Sequence, residues 1–338
     1  MNRIRRAPSS VRRIVPSAVP LALLLAASSA EGQRGPLRGM DAYAEQAMRD
    51  WRVPGMAMAV VKDDSVVYMR GFGTRTVGRD EPVDAHTSFA IASTTKAFTA
   101  TAIAMLVDEG RVRWDDPVSM HIPGFRVAAD PGLASALTVR DLLSHRTGLP
   151  TADLLWYASG SSSEDILRRL RYVRPFASPR TRYQYNNNAY MLAGMVVQHA
   201  SGMPWAEFVR TRILQPLGMD ETLTGFAGLD ARGNVATPHL EVRDTVRPIR
   251  YLDFDNIGPA GSINSSVHDM AKWIRAQLAG GWAPGGSLVS ERQLQEMLTP
   301  QFLIPQAQFY PAARLARPNF TAYGLGWFLQ DYRGRKVA

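Results

Sequence analysis

Ser93 and Lys96 are the residues whose types and spacing allow chemistry. Three apart on a helix, they share one face. Burial disfavours the charged form of a lysine and lowers its pKa. A neutral amine can take the proton of a neighbouring hydroxyl and make serine an acyl-accepting nucleophile. A helix start also offers free backbone N–H groups, which can stabilise an oxyanion. The plainer alternative is that Ser93 caps the helix and Lys96 snorkels to solvent. Composition favours the chemical reading. Of 39 basic residues only four are lysines, at positions 62, 96, 272 and 336. Arg stays protonated and cannot act as a base, whereas a buried Lys can. One of these scarce lysines sits in the most apolar stretch of the chain, after its only Ser-x-x-Lys serine.

The element that must position the pair runs from Ala92 or Ser93 to a stop at Gly110. Ala, Leu and Met favour a helix there, and no Pro interrupts it. It carries no charge between Lys96 and Asp108. A helix apolar on every face belongs in the interior. Before it, Met40–Arg52 reads as an amphipathic helix with Ala44, Ala47, Met48 and Trp51 on one side. Met56–Lys62 and Val66–Gly71 read as paired strands turning at Asp63-Asp64-Ser65. After it the pattern is mostly helical: a short helix capped by Thr138 and reaching His145, then Glu164–Val173, Ala189–Ser201, Trp205–Ile213, Val267–Leu278 and Ser290–Leu298. Gly225–Ile257 reads as a long loop, and Tyr323–Gln330 as a strand.

The length of 338 residues allows one large domain or two interleaved ones. Residues 1–30 read as a signal peptide. Five arginines form its basic start, Val19–Ala27 its apolar run and Ser28-Ser29-Ala30 its cleavage site. An uncleaved membrane anchor is the alternative, but the run is short for a span and contains Pro20. Cleavage would lower the net charge from +9 to +4, and the expected location is periplasmic or secreted. No basic stripe interleaved with aromatics and no nucleic-acid motif is present. The chain has no Cys, which excludes disulfides, thiolate metal sites and a Cys nucleophile. Neither a Gly-x-Ser-x-Gly elbow nor a His-Glu-x-x-His motif occurs, which argues against an α/β-hydrolase and a metalloprotease.

A second motif is Tyr183-Gln-Tyr-Asn-Asn-Asn-Ala-Tyr190. Consecutive Asn residues before a helix can serve as cap and turn. Alternatively, a phenol near Lys96 relays a proton to the leaving group, and an amide holds both Lys96 and a substrate carbonyl.

On these residues the chain resembles the serine β-lactamase and penicillin-binding-protein family, from about Met40 to its end. Ser93-Thr-Thr-Lys96 matches the nucleophile motif. Tyr185-Asn-Asn187 matches the Tyr-x-Asn motif of the class C β-lactamase branch, which also holds D-amino-acid peptidases and esterases. Leu142–Pro150, Leu214–Met219, Pro259–Ser262 and Tyr323–Trp327 are similar to scaffold segments of that branch, and His145 among them reads as structural.

The resemblance implies an α/β (α+β) fold of the β-lactamase/transpeptidase type, a mixed antiparallel sheet flanked by helices with an inserted mainly helical domain. Residues 31–88 and 320–338 would form the sheet part and 89–319 the helical part. It further implies a serine hydrolase acting on a small acyl substrate, a β-lactam, D-amino-acid peptide or short ester. Ser93 would be nucleophile, Lys96 base, Tyr185 proton shuttle and Asn187 substrate-binding amide. No metal or organic cofactor and no nucleic acid would be needed. The family's third motif, Lys or His then another residue and Gly, comes after the Gly-Leu-Gly-Trp segment. The sequence ends at Ala338 ahead of it, so the resemblance implies a shortened C-terminal sheet. The alternative is an inactive fragment or a non-enzymatic binding or regulatory member of the same fold. Oligomeric state is not written in the sequence.

Overall fold

A computed structural model describes residues 37–309 and 313–338. The signal-peptide reading of residues 1–30 lies outside the described residues. The chain divides into Met1–Tyr43 and Ala44–Ala338. Of the first unit, the described part is a turn and the first residues of the helix Met40–Asp50. The second unit holds the rest of that helix and every other described element.

The expected hairpin forms between Gly55–Lys62 and Ser65–Gly73, antiparallel, with a register shift at Val60/Val61. In the preceding helix Ala44 is buried, but Trp51 is 80% exposed and does not join the apolar side expected for it. The helix ends at Asp50, and Arg52 adopts a positive φ, so Trp51 lies beyond the helical period that would have turned it inward.

A single 3-10 turn, Ala92–Thr94, leads into the helix Thr95–Asp108. Every residue from Thr95 to Leu106 is buried, as an uncharged run of small and apolar side chains requires. Gly110 leaves it at φ +70°. Two of the segments that pack along this helix bear on the site. One is the helix Asn187–Ser201, started by Asn186 and stopped by Gly202 in the left-handed region. The other is the short turn of helix Gly258–Gly261. The main core is continuous across these elements and includes Phe98, Ile103, Leu106, Leu142, Val196, Phe208 and Trp273.

The named strands pair antiparallel in several small sheets. The largest has four strands in the order Arg335–Val337, Phe328–Tyr332, Thr321–Tyr323, Phe302–Leu303. Here the single strand expected over Tyr323–Gln330 is two strands joined by a tight turn. Gly324 N–H donates to Trp327 O at 2.8 Å, and Gly326 takes φ +88°. A Cβ on Gly326 would lie 2.9 Å from the Lys96 carbonyl oxygen, so the turn rests directly on the helix of Ser93 and Lys96. The alternation of apolar residues ran straight across a turn that only the glycines marked. The loop expected over Gly225–Ile257 also contains a hairpin, His239–Val242 with Thr245–Pro248. Its turn residues Arg243 and Asp244 both take positive φ without glycine, so the usual turn chemistry was absent from the sequence. Among the described residues no helix is long and apolar enough to cross a membrane.

Candidate active site

The strand Phe89–Ala90 pairs with Asn264–Ser265, and Ile91 N–H donates to Ile263 O at 3.0 Å. Ala92 then takes φ +45°, a left-handed conformation costly for a residue with a Cβ. This bend turns the chain from strand into helix and leaves Ser93 exposed. The cap position of the helix falls to Thr94 rather than Ser93, and Lys96, 1% exposed, does not reach solvent. The cap-and-snorkel alternative is therefore not what forms.

Lys96 Nζ has three oxygen neighbours: Ser93 Oγ at 3.1 Å, Asn187 Oδ1 at 2.9 Å and Ala260 O at 2.7 Å. Each comes from a different element. Ser93 is one turn upstream. Asn187 opens the helix Asn187–Ser201. Ala260 belongs to the Gly258–Gly261 turn, stitched to the helix Thr95–Asp108 by two threonines. Thr99 Oγ1 donates to Pro259 O at 2.7 Å, and Thr95 Oγ1 accepts from Ile263 N–H at 3.2 Å. Among the described residues no carboxylate bonds the amine. Burial lowers the Lys96 pKa from 10.5 to about 7, against a weaker upward pull from the charge of Asp153. A large fraction of the amine is thus neutral near pH 7 and able to accept the Ser93 proton.

The three asparagines divide their work. Asn186 Oδ1 caps its helix by accepting from Ala189 N–H at 3.0 Å, and its amide donates to Pro150 O at 2.6 Å. Asn188 Nδ2 donates to Thr151 O at 2.8 Å. Only Asn187 faces Lys96. With Oδ1 committed to the amine, its Nδ2 is left to donate to an incoming carbonyl.

Tyr185 completes the group. Its ring lies 4.7 Å from Lys96 Nζ. Burial raises its pKa to about 12, with a hydrogen bond to the Ser93 side chain pulling the other way. Beneath it sits His145, fully buried, its ring centroid 4.3 Å from that of Tyr185 and 4.6 Å from that of Tyr323. His145 brackets Tyr185 with two bonds: Gln184 N–H donates to its carbonyl at 2.9 Å, and Asn186 N–H to its Nδ1 at 3.1 Å. Its φ of +58° lets both groups reach the same segment. Burial, then the nearby Lys96, hold His145 well below its ordinary pKa, so it is a neutral acceptor. Phe328, from the four-stranded sheet, lies parallel to the Tyr185 ring at 6.2 Å.

Ser93, Lys96, Tyr185 and Asn187, chosen from sequence, thus converge in one place. The Ala260 carbonyl, the Asp153 charge and the Phe328 ring were not foreseen as parts of it. The first is a backbone group in a segment read as scaffold, and the others belong to no motif.

Known proteins show the same frame. The family model described as Beta-lactamase matches residues 40–337. The unguisins hydrolase ungD of Aspergillus violaceofuscus is 31% identical over 337 residues, covering 92% of this chain and 58% of its own length. Protein flp of Staphylococcus aureus is 25% identical and covers 86% of this chain and 56% of its own. The chain therefore spans little more than half the length of these relatives. Among solved structures, the octameric penicillin-binding protein homologue from Pyrococcus abyssi superimposes with a TM-score of 0.74 at 26% identity, covering 89% of this chain and 67% of that one. A penicillin binding protein from Bacillus halodurans shares the fold with a TM-score of 0.66 at 24% identity, covering 86% and 84%. With a match across nearly all the described residues and a fold shared with penicillin-binding proteins, the chain belongs to the β-lactamase family.

Proposed function

We propose that the protein is an exported serine hydrolase that cleaves an ester or amide through an acyl-enzyme on Ser93. The observation that carries this reading is a buried lysine, with a pKa of about 7, 3.1 Å from an exposed serine hydroxyl. An ordinary buried lysine would be paired with a carboxylate or turned outward.

In the first half-reaction Ser93 Oγ bonds to the substrate carbonyl carbon while its proton passes to neutral Lys96 Nζ. The backbone N–H of Ser93 donates to the carbonyl oxygen as it becomes an oxyanion. Asn187 Nδ2 holds the acyl portion of the substrate. The bond to the leaving group then breaks, and Tyr185 passes a proton to that group while recovering one from Lys96. In the second half-reaction water replaces the leaving group. Its proton passes through Tyr185 to neutral Lys96, its oxygen bonds to the acyl carbon, and as the ester bond to Ser93 breaks Lys96 returns the proton to Ser93 Oγ. Acid and free serine result. A relative named for hydrolysing unguisins supports hydrolysis over mere binding. β-Lactams, D-amino-acid peptides and short acyl esters all present the required carbonyl, and export is the reading of residues 1–30.

The test is the intact mass of the protein after exposure to a penicillin and, separately, to an activated ester, beside Ser93→Ala. An adduct on the unsubstituted protein alone is expected. An adduct that persists on Ser93→Ala would remove Ser93 from the scheme. A folded protein that forms no adduct with either reagent and turns neither over would favour a binding or regulatory role for the fold.

A further inference from the structure

Outside this site the described residues bring together three side chains of metal-ligating type, His86, Glu221 and His268. His86 Nδ1 lies 2.7 Å from Glu221 Oε1. His268 Nδ1 lies 3.6 Å from Glu221 Oε2 and 3.6 Å from Asp269 Oδ1. One ligand atom from each of the three falls within 4.8 Å of the others, and the imidazole centroids are 4.7 Å apart. Four-coordinate zinc, with bonds of about 2.0–2.1 Å to nitrogen and oxygen, sets its ligands about 3.3 Å apart. Small side-chain adjustments bring the trio to that spacing.

Two details favour an ion over a simple ion pair. His268 Nδ1 is buried and has no hydrogen-bond partner among the described residues, since 3.6 Å is too long for one. Buried polar atoms without partners are uncommon. The carboxylate is also already oriented. Ser266 Oγ donates to Glu221 Oε2 at 2.5 Å, and Glu221 N–H donates to Asp269 Oδ2 at 2.9 Å. Asp269 is itself held by Lys272 at 2.8 Å and Thr222 at 2.9 Å. Supported ligands of this kind are the outer shell that metal sites require.

We propose that His86, Glu221 and His268 bind one divalent transition-metal ion of the zinc class, with a fourth position open to water. Two imidazoles and one carboxylate suit such an ion rather than Mg²⁺ or Ca²⁺, which take oxygen ligands. The ion takes no part in acyl transfer. Its place is structural. His86 precedes the strand Phe89–Ala90, His268 comes after its partner Asn264–Ser265, and Glu221 lies just before Leu223, which bridges to Asn264. An ion there ties together the three segments that flank the small sheet feeding into Ser93, in a chain with no Cys to form a disulfide.

The test uses the full chain without a polyhistidine tag, stripped with a chelator and then titrated with Zn²⁺, with Mg²⁺ as contrast. One equivalent of Zn²⁺ should be retained. At a free Zn²⁺ concentration about a hundred times its dissociation constant, the folded-to-unfolded ratio should rise about 100-fold and Tm by about 5 °C. Mg²⁺ should do neither. His86→Asn and His268→Asn should each abolish retention and the Tm rise. Absence of retained Zn²⁺, or retention unchanged in both variants, would overturn the site. Co²⁺ on the unsubstituted protein gives a readout that does not depend on how the variants fold. Intense visible bands of four-coordinate Co²⁺ are expected, and the weak spectrum of the aqueous ion would overturn the proposal.

Discussion

A lysine whose amine loses its proton near pH 7 serves as a base only above that value. Turnover of an activated ester should therefore fall about tenfold per pH unit below pH 7 and level off above it. Tyr185 holds its proton to about pH 12 and should add no fall in the neutral range. A kcat/KM profile checks this, and a flat line through pH 7 would remove Lys96 as the base. Asn187→Asp places a carboxylate where Oδ1 now sits, 2.9 Å from the amine. An opposite charge at that distance raises a lysine pKa by about 1–3 units. The acid limb should move up by that amount and the rate at pH 7, where half the Lys96 amine is neutral to begin with, should fall about 5- to 500-fold, with partial recovery at higher pH. A loss that no pH restores would mean that Asn187 acts on the substrate alone. The Ser93–Lys96 pair was legible because spacing puts it on one face and the scarcity of lysine in an apolar run singled it out. The choice of Asn187 over Asn186 and Asn188 was fixed by where the helix begins, one residue earlier or later pointing a different side chain inward.

At the scale of elements, the site depends on how closely three backbones approach. Gly194, within the helix Asn187–Ser201, meets the Pro259 ring so tightly that a Cβ would lie 2.1 Å from Pro259 Cγ. A proline ring cannot swing aside as a flexible side chain does. Gly194→Ala should push the Gly258–Gly261 turn away and take the Ala260 carbonyl off Lys96. Gly→Ala within a helix ordinarily gains up to about 1 kcal/mol. Here we expect instead a loss of stability of about 1–3 kcal/mol and a lower kcat, read by thermal melts and ester kinetics. A variant as stable and active as the original would show that the contact is slack. The sequence showed the helix over Ala189–Ser201 through its composition, but not its contact with Pro259. A lone glycine in an apolar helix has no local signature of what it touches. The expected strand over Tyr323–Gln330 failed for a related reason. Its alternation was real on both sides of the turn, and the close approach of Gly326 to the Lys96 carbonyl is tertiary information.

Across the whole molecule, the segment carrying His145 is anchored by a buried carboxylate. Asp141, 0% exposed, accepts from Arg146 Nε at 2.6 Å, Arg180 Nη2 at 2.7 Å and Thr138 N–H at 3.1 Å. Burial pushes its pKa up, but the bonds from Arg180 and Arg146 together outweigh this and hold it below 3.8. A depressed carboxyl pKa gives stability that is full above the unfolded value and lost as pH falls through the folded one. Asp141→Asn removes that contribution at every pH and leaves two guanidinium groups without their counter-charge. Because Arg180 is half exposed, the expected cost is about 3 kcal/mol, toward the low end for a broken buried pair. A Tm fall of about 6–10 °C checks it. A change under 1 °C would mean that solvent already satisfies both arginines. The capping role of Thr138 was readable from the sequence, but the ion cluster was not, because its arginines come from separate segments and nothing in their spacing pairs them.

The open placement of Ser93 above a solvent-shielded amine also gives the protein a built-in address for covalent labelling. The chain has no sulfhydryl of its own. Ser93→Cys would therefore carry the only one, with a base beside it to draw off its proton. A thiol-directed fluorophore or spin label would then report on the surroundings of Ser93 and on nothing else in the molecule.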